Sequence, residues 1–206
     1  MKQLKLMMMT LMMCFLITCV NAQTYDNKWP LNDNGEIEYS EVVNVDSNIT
    51  ANALFSNAKM YLANSFKSFK DVVQNVDESS KSILIKGNFG FSCRAGSGMQ
   101  SIYEVKNHTN FTLLIQCKNG KYRYSLKPDK HSATMWYGNS PCTGDNNTSY
   151  GYLLNTTPTC GSNFGFRTLP PKLWNEIIKP KIESEIKSFI NDLKIDMIKS
   201  TTEDNW

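Results

Sequence analysis

Phe111–Lys127, FTLLIQCKNGKYRYSLK, states its own geometry. Asn119-Gly120 is the favoured pair for a two-residue type I′ hairpin turn, in which both positions take positive φ. With that pair as the loop, Lys118 faces Lys121, Cys117 faces Tyr122, Ile115 faces Tyr124 and Leu113 faces Leu126. Strand side chains alternate, so Phe111, Leu113, Ile115, Cys117, Tyr122, Tyr124 and Leu126 share one face. The other face takes Thr112, Leu114, Gln116, Lys118, Lys121, Arg123 and Ser125. One face is built for a core and the other mostly for water. A slip of one residue would turn the apolar set outward, so the register is well specified.

Upstream, Val72–Val76 and Ser82–Phe91 read as strands joined by the polar turn Asp77–Lys81, with Ile83, Ile85, Phe89, Phe91 and Cys93 in phase. Glu36–Asp46 alternates, with Ile37, Tyr39, Val43 and Val45 on one face. Asn32-Asp33-Asn34-Gly35 before it is a turn; as a calcium loop it fails, because Pro30 falls where the first carboxylate is required. Thr50 predicts the N-cap of a helix running to about Phe69. Leu54, Phe55, Ala58, Tyr61, Leu62, Phe66 and Phe69 recur along it at helical spacing, as a core stripe does.

Downstream, about 128–168 is rich in Gly, Asn, Ser and Thr, too long for a bare loop, and predicts an insertion with hairpins of its own. After Pro170-Pro171 a second amphipathic helix runs to about Ser200 through Trp174, Ile178, Ile182, Ile186, Phe189, Ile190, Leu193 and Met197. Pro180 predicts a kink or a fresh helix start. The order β-α-β-β-β-β-α is that of an α+β two-layer domain over 36–200, with about five antiparallel strands against two helices.

Residues 1–22 precede that fold. Lys2 and Lys5, the apolar run Leu6–Val20 and the small residues Val20 and Ala22 make an export signal with Gln23 as the mature terminus. The run is short for a membrane span, which needs about 20 residues. The rival reading is a lipoprotein signal with Cys19 as the lipidated residue. Cleavage of 22 residues from 206 leaves 184, enough for one domain with a real core, with 23–35 as an exposed lead-in. Loss of Lys2 and Lys5 lowers the net charge of +3 to +1, which argues against nucleic acid as a partner. No other apolar run is long enough to be a transmembrane helix.

Four of the six cysteines remain in the mature chain: Cys93, Cys117, Cys142 and Cys160. An even number in an exported protein points to two disulfides, with Cys142–Cys160 preferred as a staple of the insertion and Cys93–Cys117 left by elimination. Four buried, unpaired thiols are the alternative. The spacings lack a close CxxC or Cys/His pair, so they suggest no metal site, and no motif implies a cofactor.

Several of these stretches resemble a known family. EIEYSEVVNVD at 36–46, SFKSFKDVVQ at 65–74, ILIKGN at 83–88 and CKNGKYRYSL at 117–126 occur in the order seen in exported bacterial proteins catalogued as a domain of unknown function with a TATA-binding-protein-like (TBP-like) fold. The resemblance covers about Pro30–Lys127 and, more weakly, the last helix. It implies a curved sheet with both helices on one face and a gram-negative envelope setting. It implies no activity and no catalytic residues, and shape alone does not imply DNA binding.

Candidate sites are few. His108 and His131 fall in expected loops and read as surface residues. Glu36, Glu38 and Glu41 could supply a carboxylate pair for hydrolysis, but on a strand Glu36 and Glu38 make a solvated face. Trp136 and Tyr137, with Tyr150 and Tyr152, could offer flat faces to a sugar ring or peptide, or could pack down as a lid. Lys118, Lys121 and Arg123 mark the sheet surface opposite the helices as a second candidate. The expectation is a non-catalytic exported envelope domain that binds a glycan, peptide or protein; a carrier of small apolar ligands and an envelope hydrolase are the alternatives.

Overall fold

The hairpin forms in the predicted register, with Lys118 opposite Lys121, Cys117 opposite Tyr122, Ile115 opposite Tyr124 and Leu113 opposite Leu126. The structure, a computed structural model, describes residues 29–95, 103–137, 140–149, 159–162, 165–168, 172 and 174–199, with backbone alone at 95, 103–105, 129–130 and 133–168. Residues 1–28, with Cys19 and the expected export signal, therefore lie outside the described residues.

The turn type differs from expectation. Gly120 has φ +68°, but Asn119 stays at negative φ, so only the second position is left-handed, as in a type II turn. Tertiary contacts account for this. The Asn119 Oδ1 accepts the Ala51 amide at 2.8 Å, and the Gly120 amide donates to the Ile49 carbonyl at 2.9 Å. Both central residues are thus tied to the loop that starts the first helix.

The chain runs β1 (Tyr39–Asn44), α1 (Ala51–Ser65), a one-turn α2 (Phe69–Val72), β2 (Val73–Asp77), β3 (Ser82–Ala95), β4 (Tyr103–Lys118) and β5 (Lys121–Tyr137). β6 (Ser140–Ser149), β7 (Thr159–Ser162) and β8 (Gly165–Thr168) follow, then a π-helical turn, Trp174–Ile178, and α3 (Lys179–Met197). The order β-α-β-β-β-β-α holds, and the insertion does carry strands, three of them. The five expected strands are β1–β5, and the three of the insertion extend their sheet to eight among the described residues, in the order β2-β3-β4-β5-β6-β7-β8 with β1 also paired to β5. β1 pairs with the first half of β5, and β6 with the second half.

Thr50 caps α1, its hydroxyl accepting the Ala53 amide at 3.2 Å. Pro180 sits in the first turn of α3, directly after the π-helical turn and with Ile178 still in helical backbone, so the chain changes from π- to α-helix at the proline and does not break there. Leu54, Phe55, Ala58, Tyr61 and Leu62 of α1 and Ile182, Ile186, Ile190, Leu193 and Met197 of α3 are buried with Ile83, Ile85, Leu113, Ile115 and Leu126 of the sheet. α1 ends earlier than expected, and Phe66 and Phe69 pack beyond it at the core's edge. Trp29, in the stretch read as an exposed lead-in, is buried, with the Lys179 ammonium 5.3 Å from its ring centroid.

The loop expectation needs correcting for both histidines, and the surface expectation for His131 alone. β4 and β5 continue as strands through the regions read as loops, so His108 and His131 are strand residues. His108 is exposed, whereas His131 is buried at 1% exposure. Pro128 opposes Phe111 and His131 opposes Thr109, so β5 has one residue more than β4 between these pairs. This bulge exchanges the two faces of β5 and turns His131 inward.

Candidate functional site

Of the expected site residues, Trp136 and Tyr137 lie on the far end of β5, where the structure describes backbone alone. Tyr150 and Tyr152 lie outside the described residues. Trp136 is thirteen positions along β5 from Arg123, about 40 Å at strand rise, so the aromatic and cationic candidates are not one site.

Cys142 and Cys160 lie on the adjacent strands β6 and β7, where again only backbone is described. Cys93 and Cys117 are both free thiols, which corrects the pairing reached by elimination. Their strands are neighbours, but Cys93 opposes Val105, twelve positions along β4 from Cys117. That is about 40 Å, far beyond the ~7 Å limit between disulfide-linked Cα atoms. Burial pushes the Cys117 thiol up to about 12 and also raises that of Cys93, so neither is poised as a nucleophile.

His131 packs against Trp174, ring centroids 5.4 Å apart, with its Nδ1 3.0 Å from the Thr109 hydroxyl. Burial first, and the charge of His108 second, lower its pKa to about 4. The carboxylates of Glu36 and Glu38 share the Asn32 amide, at 3.2 and 3.0 Å, and the Lys127 ammonium. Hydrogen bonds hold all three carboxyls below the usual range, led by Asn32 for Glu36, Ser125 for Glu38 and Lys194 for Glu41. Carboxylates kept ionised in this way suit a strand-to-strand clamp better than proton donation.

The second candidate, the open sheet face, gains a shape. A cleft of about 500 Å³ opens at the turn end of the central hairpin. Val42 of β1, Gln116 and Lys118 of β4, Lys121 and Arg123 of β5 and Ser80 line it. Cys117 and Tyr122 complete the wall, although their side chains are buried on the helix-covered side. Alternation explains the gathering: Gln116 opposes Arg123, Lys118 opposes Lys121, and Arg123 opposes Val42 across the next ladder. Val42 is 55% exposed despite its apolar side chain. Among the described residues, Lys118, Lys121 and Arg123 form no ion pair, whereas Lys59, Lys81, Lys127 and Lys194 each meet a carboxylate. Sequence reading found the three cations but missed Val42 and Ser80. Val42 is brought beside Arg123 only by β1–β5 pairing, which no local pattern announces.

Residues 39–128 match the family described as "Domain of unknown function (DUF4468) with TBP-like fold". A DUF4468 family protein of solved structure from Bacteroides ovatus ATCC 8483 is 12% identical, with 84% of this chain and 92% of that one covered and a TM-score of 0.51. That likeness is one of fold alone. A TBP-like protein from Parabacteroides distasonis ATCC 8503 is 13% identical over 80% of this chain and 96% of that one, at a TM-score of 0.37, too low to bear on the fold. No curated protein matches the chain. The resemblance of the hairpin, strand and helix sequences to this family of unknown function is thereby established over residues 39–128, the span that builds β1 through the first half of β5.

Proposed function

We propose that the protein is a non-catalytic, exported domain that binds a peptide, protein or glycan of the cell envelope through its open sheet face. The cleft at the turn end of the hairpin carries this reading, because it joins cations that form no ion pair among the described residues, polar side chains and an exposed apolar one in a concave surface. Support against the apolar-carrier alternative comes from the other face. There the space between sheet and helices is filled by side chains such as Leu54, Leu62, Ile83, Ile115, Ile186 and Leu193, each at 0% exposure. Among the described residues, no helix is long and apolar enough to cross a membrane.

Screening envelope peptides and glycans against the protein and its V42R/Q116E variant tests the reading. Both positions lie outside the core, so stability is expected to stay within about 0.5 kcal/mol while binding falls. Ligands that bind both proteins equally would refute the open face. The intact mass of the exported protein tests the rest: a terminus at Gln23 is expected, and a diacyl group on Cys19 would place it on a membrane instead.

A further inference from the structure

With the open face as the binding surface, we infer that the cleft takes an acidic peptide segment whose carboxylates meet Lys118, Lys121 and Arg123. Lys118 and Lys121 stand directly opposite each other across the hairpin, an arrangement that repels unless an anion lies between them. Arg123 follows Lys121 on the same face, and Arg presents a planar fork that grips a carboxylate through two parallel hydrogen bonds. No carboxylate among the described residues pairs with any of the three.

The dimensions favour a peptide over a lone anion. The lining runs from Val42 on β1 across β5 and β4 to Ser80 at the head of β3, three strand spacings or about 14 Å. An extended chain of about four residues covers that width, whereas one phosphate or carboxylate reaches only part of it. Gln116 offers a donor and an acceptor to a peptide backbone, and Val42 offers an apolar contact to a side chain. The cleft is also polarised. At the Ser80 end Asp77 is fixed as an anion, accepting the Ser79 and Ser80 hydroxyls at 2.6 and 2.8 Å. Acidic residues therefore belong at the hairpin end of the peptide and neutral ones towards Ser80.

The test is fluorescence anisotropy with a labelled Glu-Glu-Glu-Ala-Ala-Ala peptide, its Gln-Gln-Gln counterpart, inorganic phosphate and phosphatidylglycerol vesicles as competitors. The glutamate peptide is expected to bind about tenfold or more tightly than the glutamine one, with affinity falling as salt rises. The K118Q/K121Q/R123Q variant should lose about tenfold or more of that affinity, and K67Q/K70Q, which removes exposed cations elsewhere, should lose little. Equal binding of the two peptides, equal loss in the two variants, or displacement by phosphate or vesicles at matched charge would overturn the acidic-peptide assignment. A neutral ligand that still loses affinity in V42R/Q116E would leave the open face standing without it. If V42R/Q116E alters the binding of no ligand at all, both readings fall together.

Discussion

Tyr122 sits in the hairpin with its ring buried at 1% exposure. Its hydroxyl is also buried and has no hydrogen-bond partner among the described residues. Burial, with the charge of Glu41 adding to it, pushes its pKa up to about 12. A buried hydroxyl without a partner is a cost, so Tyr122→Phe should raise stability, by up to about 1 kcal/mol in urea denaturation. Gly120 is the opposite case. Its φ of +68° disfavours any side chain, and a Cβ there would lie 3.2 Å from the Ser47 Cα. Gly120→Ala should lower stability by about 1–2 kcal/mol, measured in the same way. A destabilised Tyr122→Phe would mean that its hydroxyl has a partner beyond the described residues.

Among elements, the two long helices are latched as well as packed. The Asn57 amide donates to the Met197 and Lys199 carbonyls at 2.9 and 2.8 Å, satisfying acceptors that the end of α3 leaves open. The Tyr61 hydroxyl donates to the Phe189 carbonyl at 2.8 Å, further back along α3. Asn57→Ala should cost about 1–3 kcal/mol and speed amide exchange in the last turn of α3, because those carbonyls lose their partner. Unchanged exchange there would show that the latch contributes nothing. The periodicity of α1 gave no hint of this role. Asn57 lies beside its apolar stripe and acquires a partner only when α3 packs alongside. The bulge between Pro128 and His131 escaped local reading for a related reason. Pro128 resembles a strand terminator, but at a shift in register its missing N–H is tolerated and the strand continues.

For the molecule as a whole, His131 couples pH to stability. Its ordinary pKa is 6.5 and burial lowers it to about 4 in the fold. Between these values the unfolded chain holds the extra proton, so stability falls as pH drops through that window and levels off below it. The loss amounts to at most about 3 kcal/mol. Denaturation at a series of pH values should show this slope, and His131→Gln should flatten it; equal slopes in the two proteins would assign the acid sensitivity elsewhere. The imidazole lies against Trp174, at the π-helical turn leading into α3. The start of α3 is therefore the region expected to loosen first in acid.

Short-range patterns in the sequence by themselves determined the hairpin register, the inward faces of the strands, the Thr50 cap, the stripe of α3 and the order of the core elements. Each follows from a period of two or 3.6 residues, or from one capping side chain. Only the tertiary structure decided which thiols stand apart, which histidine is buried, how Asn119 is held and what surrounds the three cations. These depend on ladders and contacts between residues distant in sequence. Cys93 and Cys117 both follow a core-facing pattern in the sequence, and the structure puts them on neighbouring strands, yet the register separates them by twelve positions. Lys118, Lys121 and Arg123 were legible as one polar face, because alternation places them there. The cleft they form with Val42 required β1 to pair with β5, and that choice rests on the burial of a whole face rather than on any residue in the hairpin.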